Sequence, residues 1–494
     1  MRTNGASRVT LQLCTFVVFA IVSSLACRPS SAESASDSAT GTSTATPMDT
    51  ASTGSQTPTG GTATDTSTET TIEGSSASSP GTSSTTAGET TSTDVTGTST
   101  VASTSESSTE AESESVGSTG ATCPTEVDGD LTITDATDLS TLTCLTSITG
   151  TLRINDTSLG SFSELANLAS VGGNVQIIGN SALTSLDGLA GLTEIKGAGS
   201  YGQLTLSGNP LLKDLDGLSS LTTVDYLLIA ECDALTDLSG LQGPLAGEFS
   251  GGWGLALVNN DALMSLDSLA NASNLTFRVY LSENPQLSDI SALELVLKPE
   301  TSAEIYIRHN PVLLDLVGLQ NIATSVGVVI DDNDSLQDLQ GLNGLHEVDN
   351  NLLISNNAKL ASLSGLDSLE SAYIVQIEGN PELITLAGAT SLKTIQHSLS
   401  IGYCGTSGND SLASLAGLES IESIPSLGVQ SNAALHSLAG LDSLTALDKL
   451  WVQFNPLLPS KAAFDLASSL NAVAVICDNL NPEDECMCQE WIPE

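Results

Sequence analysis

Aliphatic residues recur along this chain in a fixed order. The stretch NVQIIGNSALTSLDGLAGLTEIKG, residues 174–197, opens with Val-x-Ile, reaches an Asn, and then places an aliphatic residue at every third position. The same skeleton returns three times between residues 328 and 395. Asparagine marks the register, because Asn310, Asn333 and Asn357 follow one another at intervals of 23 and 24 residues. A fixed period in the twenties is typical of a solenoid of stacked repeats.

The spacing within one repeat predicts how each coil is built. Val-x-Ile alternates with period two, which predicts a short strand with Val175 and Ile177 facing the core. The aliphatic residues at every third position indicate a tight coil with short extended, 3₁₀ or helical returns. One coil cannot bury its apolar face alone, so we predict about fourteen coils of 23–24 residues, stacked as parallel strands at about 4.8 Å.

The recurring Asn follows the strand and lies among leucines, where an amide needs hydrogen-bonding partners. We predict that these side chains bridge the backbone of neighbouring coils and form a ladder. Cysteine takes two of the positions, as it does in leucine-rich repeats, and both are predicted to be buried thiols. The predicted ladder is Asn180, Asn209, Cys232, Asn260, Asn284, Asn310, Asn333, Asn357, Asn380, Cys404, Asn432 and Asn455.

The pattern L-x-I-x-x-N-x-x-L-x-x-L-x-G-L-x-x-L-x-x-V-x-G resembles the receptor L domain family, the leucine-rich-repeat-like modules of insulin and epidermal-growth-factor receptors. It is also similar to fungal cell-wall surface proteins. The resemblance extends from Cys123 to the C-terminus. It implies a right-handed solenoid with parallel sheets, used for ligand binding or surface architecture and not for catalysis. The chain differs from the receptors in its single long run of coils, with no cysteine-rich module and no kinase.

The N-terminus has the features of an export signal. Arg2 and Arg8 precede a mostly apolar stretch, and we predict a signal peptide at residues 1–26. Residues 24–27, Ser-Leu-Ala-Cys, resemble a bacterial lipobox, which makes Cys27 the predicted lipidated residue. Arg28 after this cysteine favours delivery to the outer membrane. The alternative is an ordinary cleavage after Ala32 and a secreted protein.

Residues 27–122 have a different composition. From residue 29 onward more than half of them are Ser or Thr, and Lys, Arg, Cys and aromatic residues are absent. Such a sequence cannot bury a core, so we predict a disordered, acidic stalk between the anchor and the solenoid. The solenoid itself is predicted at 123–476 and a cysteine-containing cap at 477–494.

Cysteines bracket both ends of the predicted solenoid. Cys123 and Cys144 flank the first coil, and in an exported protein this pair predicts a disulfide that closes the solenoid end. Receptor L domains also open with such a pair. At the other end, residues 462–476 have the pattern of a capping helix after a last strand at 450–452. Cys477 is predicted to pair with Cys486 or Cys488, and the third thiol has no assigned role.

Charge and side-chain chemistry exclude several functions. A net charge of −45 makes nucleic-acid binding untenable, because nothing would neutralise phosphates. No cofactor or metal motif is present, although the run at 331–334 offers a weak alternative calcium site. The four histidines fall at different points of the repeat, so no catalytic group assembles by register. A β-helix polysaccharide-active enzyme remains an alternative, with Arg308, Asp331 and Glu378 as its candidate residues.

The outward position of each strand predicts a surface. At the centre of the solenoid this position holds Leu228, Ala256, Tyr280, Tyr306, Val329 and Leu353, where solvent-facing residues should be polar. With only 3% aromatic residues in the chain, two stacked tyrosines are informative. The predicted binding residues are Leu228, Tyr280, Tyr306, Arg308, Val329, Asp331 and Leu353. The alternative is that the stalk or inserts near 244–254, 271–277 and 295–303 cover this row.

These observations favour a non-enzymatic, lipid-anchored scaffold at the cell surface or outer membrane that binds an unknown protein or glycan. The lipid anchor is its only predicted contact with a membrane. A structural protein of the cell envelope is the second hypothesis, and a polysaccharide-active enzyme is the third.

Overall fold

The computed structural model describes residues 123–199, 201–241, 243–247, 253–272, 275–297, 301–404 and 408–480. The predicted signal peptide and stalk, and Cys27 and Cys486 with them, lie outside these residues.

Short strands follow one another along the whole described part of the chain. In chain order they are β1 Glu126–Val127, β2 Leu131–Ile133, β3 Ser147–Ile148, β4 Leu152–Asn155, β5 Ser170–Val171, β6 Val175–Ile178, β7 Glu194–Ile195, β8 Gln203–Ser207, β9 Tyr226–Ala230, β10 Trp253–Val258, β11 Leu275–Ser282, β12 Thr301–Ser302, β13 Glu304–Arg308, β14 Ile322–Asp331, β15 Glu347–Ser355, β16 Ser371–Glu378, β17 Thr394–Ile401, β18 Ser423–Gln430, β19 Ala446–Gln453 and β20 Val473–Cys477.

The strands stack in sequence order as a parallel solenoid. A 16-stranded sheet runs from β2 to β20, and a 4-stranded sheet of β1, β3, β5 and β7 lies beside its first coils. Each strand pairs in parallel with the strand of the next coil, as Val175 with Leu204 in β6 and β8. This arrangement of about 14 turns confirms the predicted fold class.

The core is a column of aliphatic rows. Within one coil Leu183, Leu186, Leu189, Leu192 and Ile195 are all fully buried, as the spacing of three predicts. The same positions are buried in the coils above and below, so each row meets its own copy. Fully burying one such side chain contributes about 1.5–3 kcal/mol, which makes the stack the main source of stability.

The later strands are longer than the Val-x-Ile core of the repeat predicts. From β14 to β19 they contain eight to ten residues, because the pairing begins before the core residues. Glu347 pairs with Ser371, and after a register shift Asn351 pairs with Ile374. The short second sheet of the first coils is therefore absorbed into the main strands of the later ones.

The returns contain little helix. Short 3₁₀ segments such as Asp187–Leu189 and Asp216–Leu218 close the early coils, and α1 spans only Leu293–Val296. Helix α2 spans Ser460–Leu470 and ends at Asn471, whose left-handed backbone terminates it. No helix in the described ranges is long and apolar enough to span a membrane.

The C-terminal end of the solenoid differs from the prediction. A helix was expected over 462–476 after a last strand at 450–452, but the helix ends at Leu470 and β20 follows it. The sequence Val-Ala-Val-Ile-Cys of β20 pairs in parallel with β19, since its alternating β-branched residues suit a strand better than a helix. Cys477 therefore ends a strand and belongs to the stack.

The ladder joins neighbouring coils through side-chain amides. The backbone N–H of Asn333 donates to Oδ1 of Asn357 at 3.1 Å, and Nδ2 of Asn333 donates to the same oxygen at 3.2 Å. Nδ2 of Asn357 in turn donates to the carbonyl of Ile330 at 3.0 Å and to that of Ser355 at 2.8 Å. These Asn residues are fully buried, and their hydrogen bonds meet the need that burial creates.

One predicted rung is wrong and three rungs were missed. The backbone N–H of Asn380 donates to Oδ1 of Asn409 at 3.2 Å, so Asn409 and not Cys404 is the rung of this coil. The rung comes later than predicted because this coil carries an insertion before it. At the N-terminal end the N–H of Thr157 donates to Asn180 at 3.0 Å. At the C-terminal end the N–H of Asn455 donates to Asn479 at 3.1 Å. The ladder therefore extends over the whole stack.

Cys232 occupies a rung as a buried free thiol. Its backbone N–H donates to Oδ1 of Asn260 at 3.2 Å, and its Sγ lies 3.5 Å from the carbonyl oxygen of Ala230. Burial raises the pKa of this thiol to about 12, so it stays protonated at neutral pH. Cys404, by contrast, is disulfide-bonded, which contradicts its prediction as a buried thiol.

The predicted N-terminal disulfide is present. Cys123 and Cys144 are joined, with their Cα atoms 5.6 Å apart. The bridge closes a loop of 21 residues over the first coil, so it restrains the exposed end of the stack.

Candidate binding face

The outward row of the long sheet lies in the predicted register. Ala256 pairs with Tyr280, Tyr280 with Tyr306, and Tyr306 with Val329, each on the next strand. Val329 then pairs with Leu353, and the row continues into the later coils. The repeat spacing alone is therefore sufficient to place these side chains side by side.

Burial divides this row into parts. Leu228 is 3% exposed and Ala256 is 1% exposed, and both pack with Tyr226 and Ala230 in a small apolar cluster separate from the main core. Val329 is also buried, at 9% exposure. Leu228 and Val329, which were predicted to contact a ligand, therefore offer almost no free surface.

A buried ion pair lies beside that cluster and was not anticipated. Arg278 Nε donates to Glu304 Oε2 at 2.8 Å, and both side chains are nearly buried. Burial raises the pKa of the neighbouring Tyr226, against the opposing effect of the Arg278 charge. Arg278 lies two residues before Tyr280 on β11, so strand alternation places both on the outer side. The buried end of the row fits the alternative in which part of the row is covered, although the ion pair itself was not predicted.

The open part of the row is built on Tyr280 and Tyr306. Their ring centroids are 5.5 Å apart and their planes are tilted by 31°, and both rings are half-buried. Burial raises the pKa of both phenols, so they stay neutral and present hydroxyl groups at physiological pH. Leu353 is also half-buried two coils further on. This part can offer apolar contact and hydrogen bonds together.

A charged border runs along the C-terminal ends of the same strands. Arg308 contacts Asp331 through Nε at 3.1 Å and Nη2 at 2.8 Å. The other oxygen of Asp331 accepts from Ser355 Oγ at 2.6 Å and from Asn356 Nδ2 at 2.9 Å. Burial raises the pKa of Asp331, but these hydrogen bonds and the Arg308 charge outweigh it and leave the pKa lowered. Arg308 keeps 40% of its side chain exposed.

Glu378 lies one coil beyond Ser355 on this border. Its Oε2 is buried and has no hydrogen-bond partner in the described structure. Burial raises the pKa of this carboxyl, and the charge of Asp331 raises it further. Glu378 is thus the border carboxyl in which a buried oxygen has no hydrogen bond to offset the cost of its burial.

These carboxylates do not form a catalytic pair. Both oxygens of Asp331 are occupied by Arg308, Ser355 and Asn356, which leaves neither free to activate water. The arrangement is that of a structural ion pair with hydrogen bonds, which weakens the polysaccharide-active alternative.

The acidic run at 331–334 is dispersed by the fold. Asp331 faces Arg308, and Asn333 is a ladder rung. Oδ2 of Asp332 lies 3.2 Å from Nε2 of His309. Asp332 and Asp334 line a groove of about 390 Å³ at the strand ends. No group of three His, Cys, Asp or Glu within the described ranges is placed to hold a metal ion.

The far end of the outer face is again buried. Ser400 is 1% exposed, Gln430 is 1% exposed and Gln453 is fully buried. Gln430 Nε2 donates to Gln453 Oε1 at 2.8 Å. In the central row Ser400 and Gly428 are buried and Trp451 is half-buried, so the open part that contains Tyr280 and Tyr306 spans β11 to β16.

Leucine-rich repeat proteins are among the solved structures to which this chain is similar. Among solved structures, a leucine-rich repeat protein of Leptospira interrogans is 16% identical, with 68% of this chain and 91% of that chain covered and a TM-score of 0.24. A leucine-rich repeat protein of Bacteroides ovatus is 13% identical, with 67% and 84% covered and a TM-score of 0.15. Among curated proteins, none matches the chain. Residues 122–217 match the family model described as Receptor L domain, which confirms the resemblance for the first coils of the solenoid.

Proposed function

We propose that this chain is a cell-surface scaffold that binds a protein ligand on the open part of its outer face, around Tyr280 and Tyr306. Receptor L domains and leucine-rich repeats are ligand-binding or protein-interaction scaffolds, and they generally bind proteins. The lipobox-like sequence before Cys27 and the Ser/Thr-rich stretch after it support attachment at a distance from a membrane.

The tilted Tyr280–Tyr306 pair on a rigid sheet carries this proposal. Tyrosine supplies a large contact area at a small cost in side-chain entropy, and aromatic anchors dominate protein interfaces. The neighbouring Arg308 adds an exposed cation that can pair with an acidic group of the ligand. Since neighbouring coils are hydrogen-bonded in register, the face is preorganised and loses little conformational entropy on binding.

The test is a binding screen of the mature chain against extracellular proteins, with a glycan array in parallel. For the protein that binds, Tyr280→Ala with Tyr306→Ala should weaken binding by roughly 30-fold or more, about 2 kcal/mol, with the melting temperature unchanged. The matched control is Met264→Ala with Leu314→Ala, since both residues are about half exposed at a different repeat position. Binding confined to glycans, or equal effects of the two double variants, would contradict the proposal.

A further inference from the structure

Glu378 is a carboxyl that the fold does not require. Ile377 beside it is buried in the core, so strand alternation places Glu378 on the outer side of β16. In other coils the same outward position holds a serine or a glutamine: Ser282, Ser355, Gln430 and Gln453. A neutral polar side chain therefore fits this position, and burying a carboxylate there costs free energy without a structural need.

No Lys or Arg among the described residues forms an ion pair with Glu378. Arg308 belongs to the same outward row, but its Nε and its Nη2 both donate to Asp331. Ser355 separates Asp331 from Glu378, and the strands on either side of β16 contain no Lys or Arg. The row therefore has an excess of negative charge at Glu378, where one buried oxygen has no hydrogen bond. Such a group in a folded protein needs an explanation.

A role in solubility does not explain this carboxyl. Glu370 and Glu382, in the neighbouring turns of the chain, keep 61% and 53% of their side chains exposed, and each lies beside a lysine. Glu378 is half-buried instead. Burial raises its pKa, and the charge of Asp331 raises it further. A carboxyl held in such surroundings is typical of a functional site.

Glu378 borders the part of the outer face that contains Tyr280 and Tyr306. Leu353 pairs with Gln376 across β15 and β16, and both side chains are half-buried. Glu378 follows Gln376 by two residues, which places the Cα atoms of Leu353 and Glu378 roughly 8 Å apart. Tyr306 and Glu378 are three strand spacings apart, about 14 Å. A standard interface covers about 800 Å² on each partner, so a protein bound over Tyr306 also reaches Glu378.

We propose that the protein bound on this face contributes a lysine or arginine side chain whose charge pairs with Glu378 and whose methylene groups lie on Leu353. This inference rests on the proposed function and names the chemistry of the partner, a basic segment of an extracellular protein. Long basic side chains bury their methylene groups on apolar surface while the charged end reaches an anion. Asp331 is already held by Arg308, so the incoming cation pairs with Glu378.

A phage-displayed library of short random peptides is the probe. It is panned on the mature parent chain and on Glu378→Gln, a variant that removes the charge and retains the shape. The fold tolerates glutamine here, as Gln430 and Gln453 show. Peptides selected on the parent should contain Lys or Arg at one fixed position, and this enrichment should disappear on Glu378→Gln. The matched control Glu382→Gln, at an exposed carboxyl of the same coil, should retain it.

A double-mutant cycle then measures the pair. A selected peptide is synthesised with its basic residue and with norleucine in its place, and binding is followed by fluorescence anisotropy. On the parent the norleucine peptide should bind roughly tenfold more weakly or less tightly still. On Glu378→Gln the two peptides should bind alike, because the pair is already broken. Equal weakening by norleucine on the parent and on Glu378→Gln, or a library without basic enrichment on the parent, would overturn the inference.

Tyr280→Ala with Tyr306→Ala separates this inference from the proposed function. Peptide binding that is weakened by the tyrosine variant but not by Glu378→Gln would leave the proposed face intact and overturn the pairing with Glu378 alone. Peptide binding that survives the tyrosine variant unchanged would contradict the proposed face, and this inference with it. Weakening by both variants, with Glu382→Gln neutral, is the expected result.

Discussion

The backbone N–H of Asn357 lies 3.0 Å from the side-chain oxygen of Asn380, one coil further along the chain. The same contact joins Asn333 to Asn357, so each buried amide serves two coils at once. The ladder therefore couples the alignment of one strand to the next. This coupling explains how an outward row such as Tyr280 and Tyr306 stays in register.

Replacing a rung should destabilise the solenoid. Asn357→Leu leaves the N–H of Asn333 and the carbonyl of Ile330 without partners in the core. We expect a loss of about 1–3 kcal/mol for each group that stays unsatisfied, seen as a lower urea midpoint.

The control for this variant is Asn350→Leu, at an exposed position of the same coil. It should change stability by less than about 0.5 kcal/mol. Asn356 is a poor control despite its exposure, because its φ of 56° would strain a leucine. Equal losses for Asn357→Leu and Asn350→Leu would contradict the structural role of the ladder.

Gly365→Ala tests the turn glycines. Gly365 has a φ of 114°, and a Cβ there would lie 2.0 Å from the carbonyl oxygen of Leu339 in the preceding coil. Since backbone cannot yield as a side chain can, we expect a loss above about 2 kcal/mol by chemical denaturation. Gly160→Ala is the matched control, because its nearest contact is 3.6 Å away, and a similar loss there would refute the explanation.

The sequence predicts the strand register that follows from the regular repeat, and it misses features that arise where an insertion or a tertiary contact departs from that repeat. Alternation and period place Tyr280 beside Tyr306, because a parallel sheet with a fixed coil length leaves one register. The rung near Cys404 was misassigned, since cysteine is acceptable at a rung and only the insertion moves the true rung to Asn409. Leu228 and Ala256 were expected to be exposed, and their burial depends on tertiary contacts that the repeat pattern does not contain.

Attachment through Cys27 is tested by fractionation. If Cys27 carries a lipid, the mature protein should partition with membranes and into detergent, and Cys27→Ser should move it to the soluble fraction. Mass spectrometry of the N-terminal peptide should show a diacyl or triacyl cysteine, since two or more chains are needed for stable anchoring. An unmodified N-terminus at Glu33 would contradict this expectation.

Glu378 and Asp331, two carboxyls of the charged border, should make the free energy of unfolding depend on pH in opposite directions. The pKa of Glu378 is raised in the folded state by burial and then by the Asp331 charge. Its contribution to stability is therefore fully present below its ordinary value of 4.5 and is lost as the pH rises through the folded pKa. Glu378→Gln should remove this loss, so the variant should be more stable than the parent at pH 7, by about 1 kcal/mol or less, and equal to it near pH 4.

Asp331→Asn is the counterpart with the opposite sign. The pKa of Asp331 is lowered, because its hydrogen bonds and the Arg308 charge outweigh burial, so its contribution is present above 3.8 and is lost as the pH falls through the folded pKa. We expect Asp331→Asn to lose about 1–3 kcal/mol at pH 7, because Arg308 keeps no anionic partner at that position. The difference should shrink as the pH falls below 3.8. These changes are measured as urea midpoints of the parent and both variants between pH 3 and 8. If the two stability differences from the parent change with pH in the same direction, the two carboxyls do not differ as the border geometry requires.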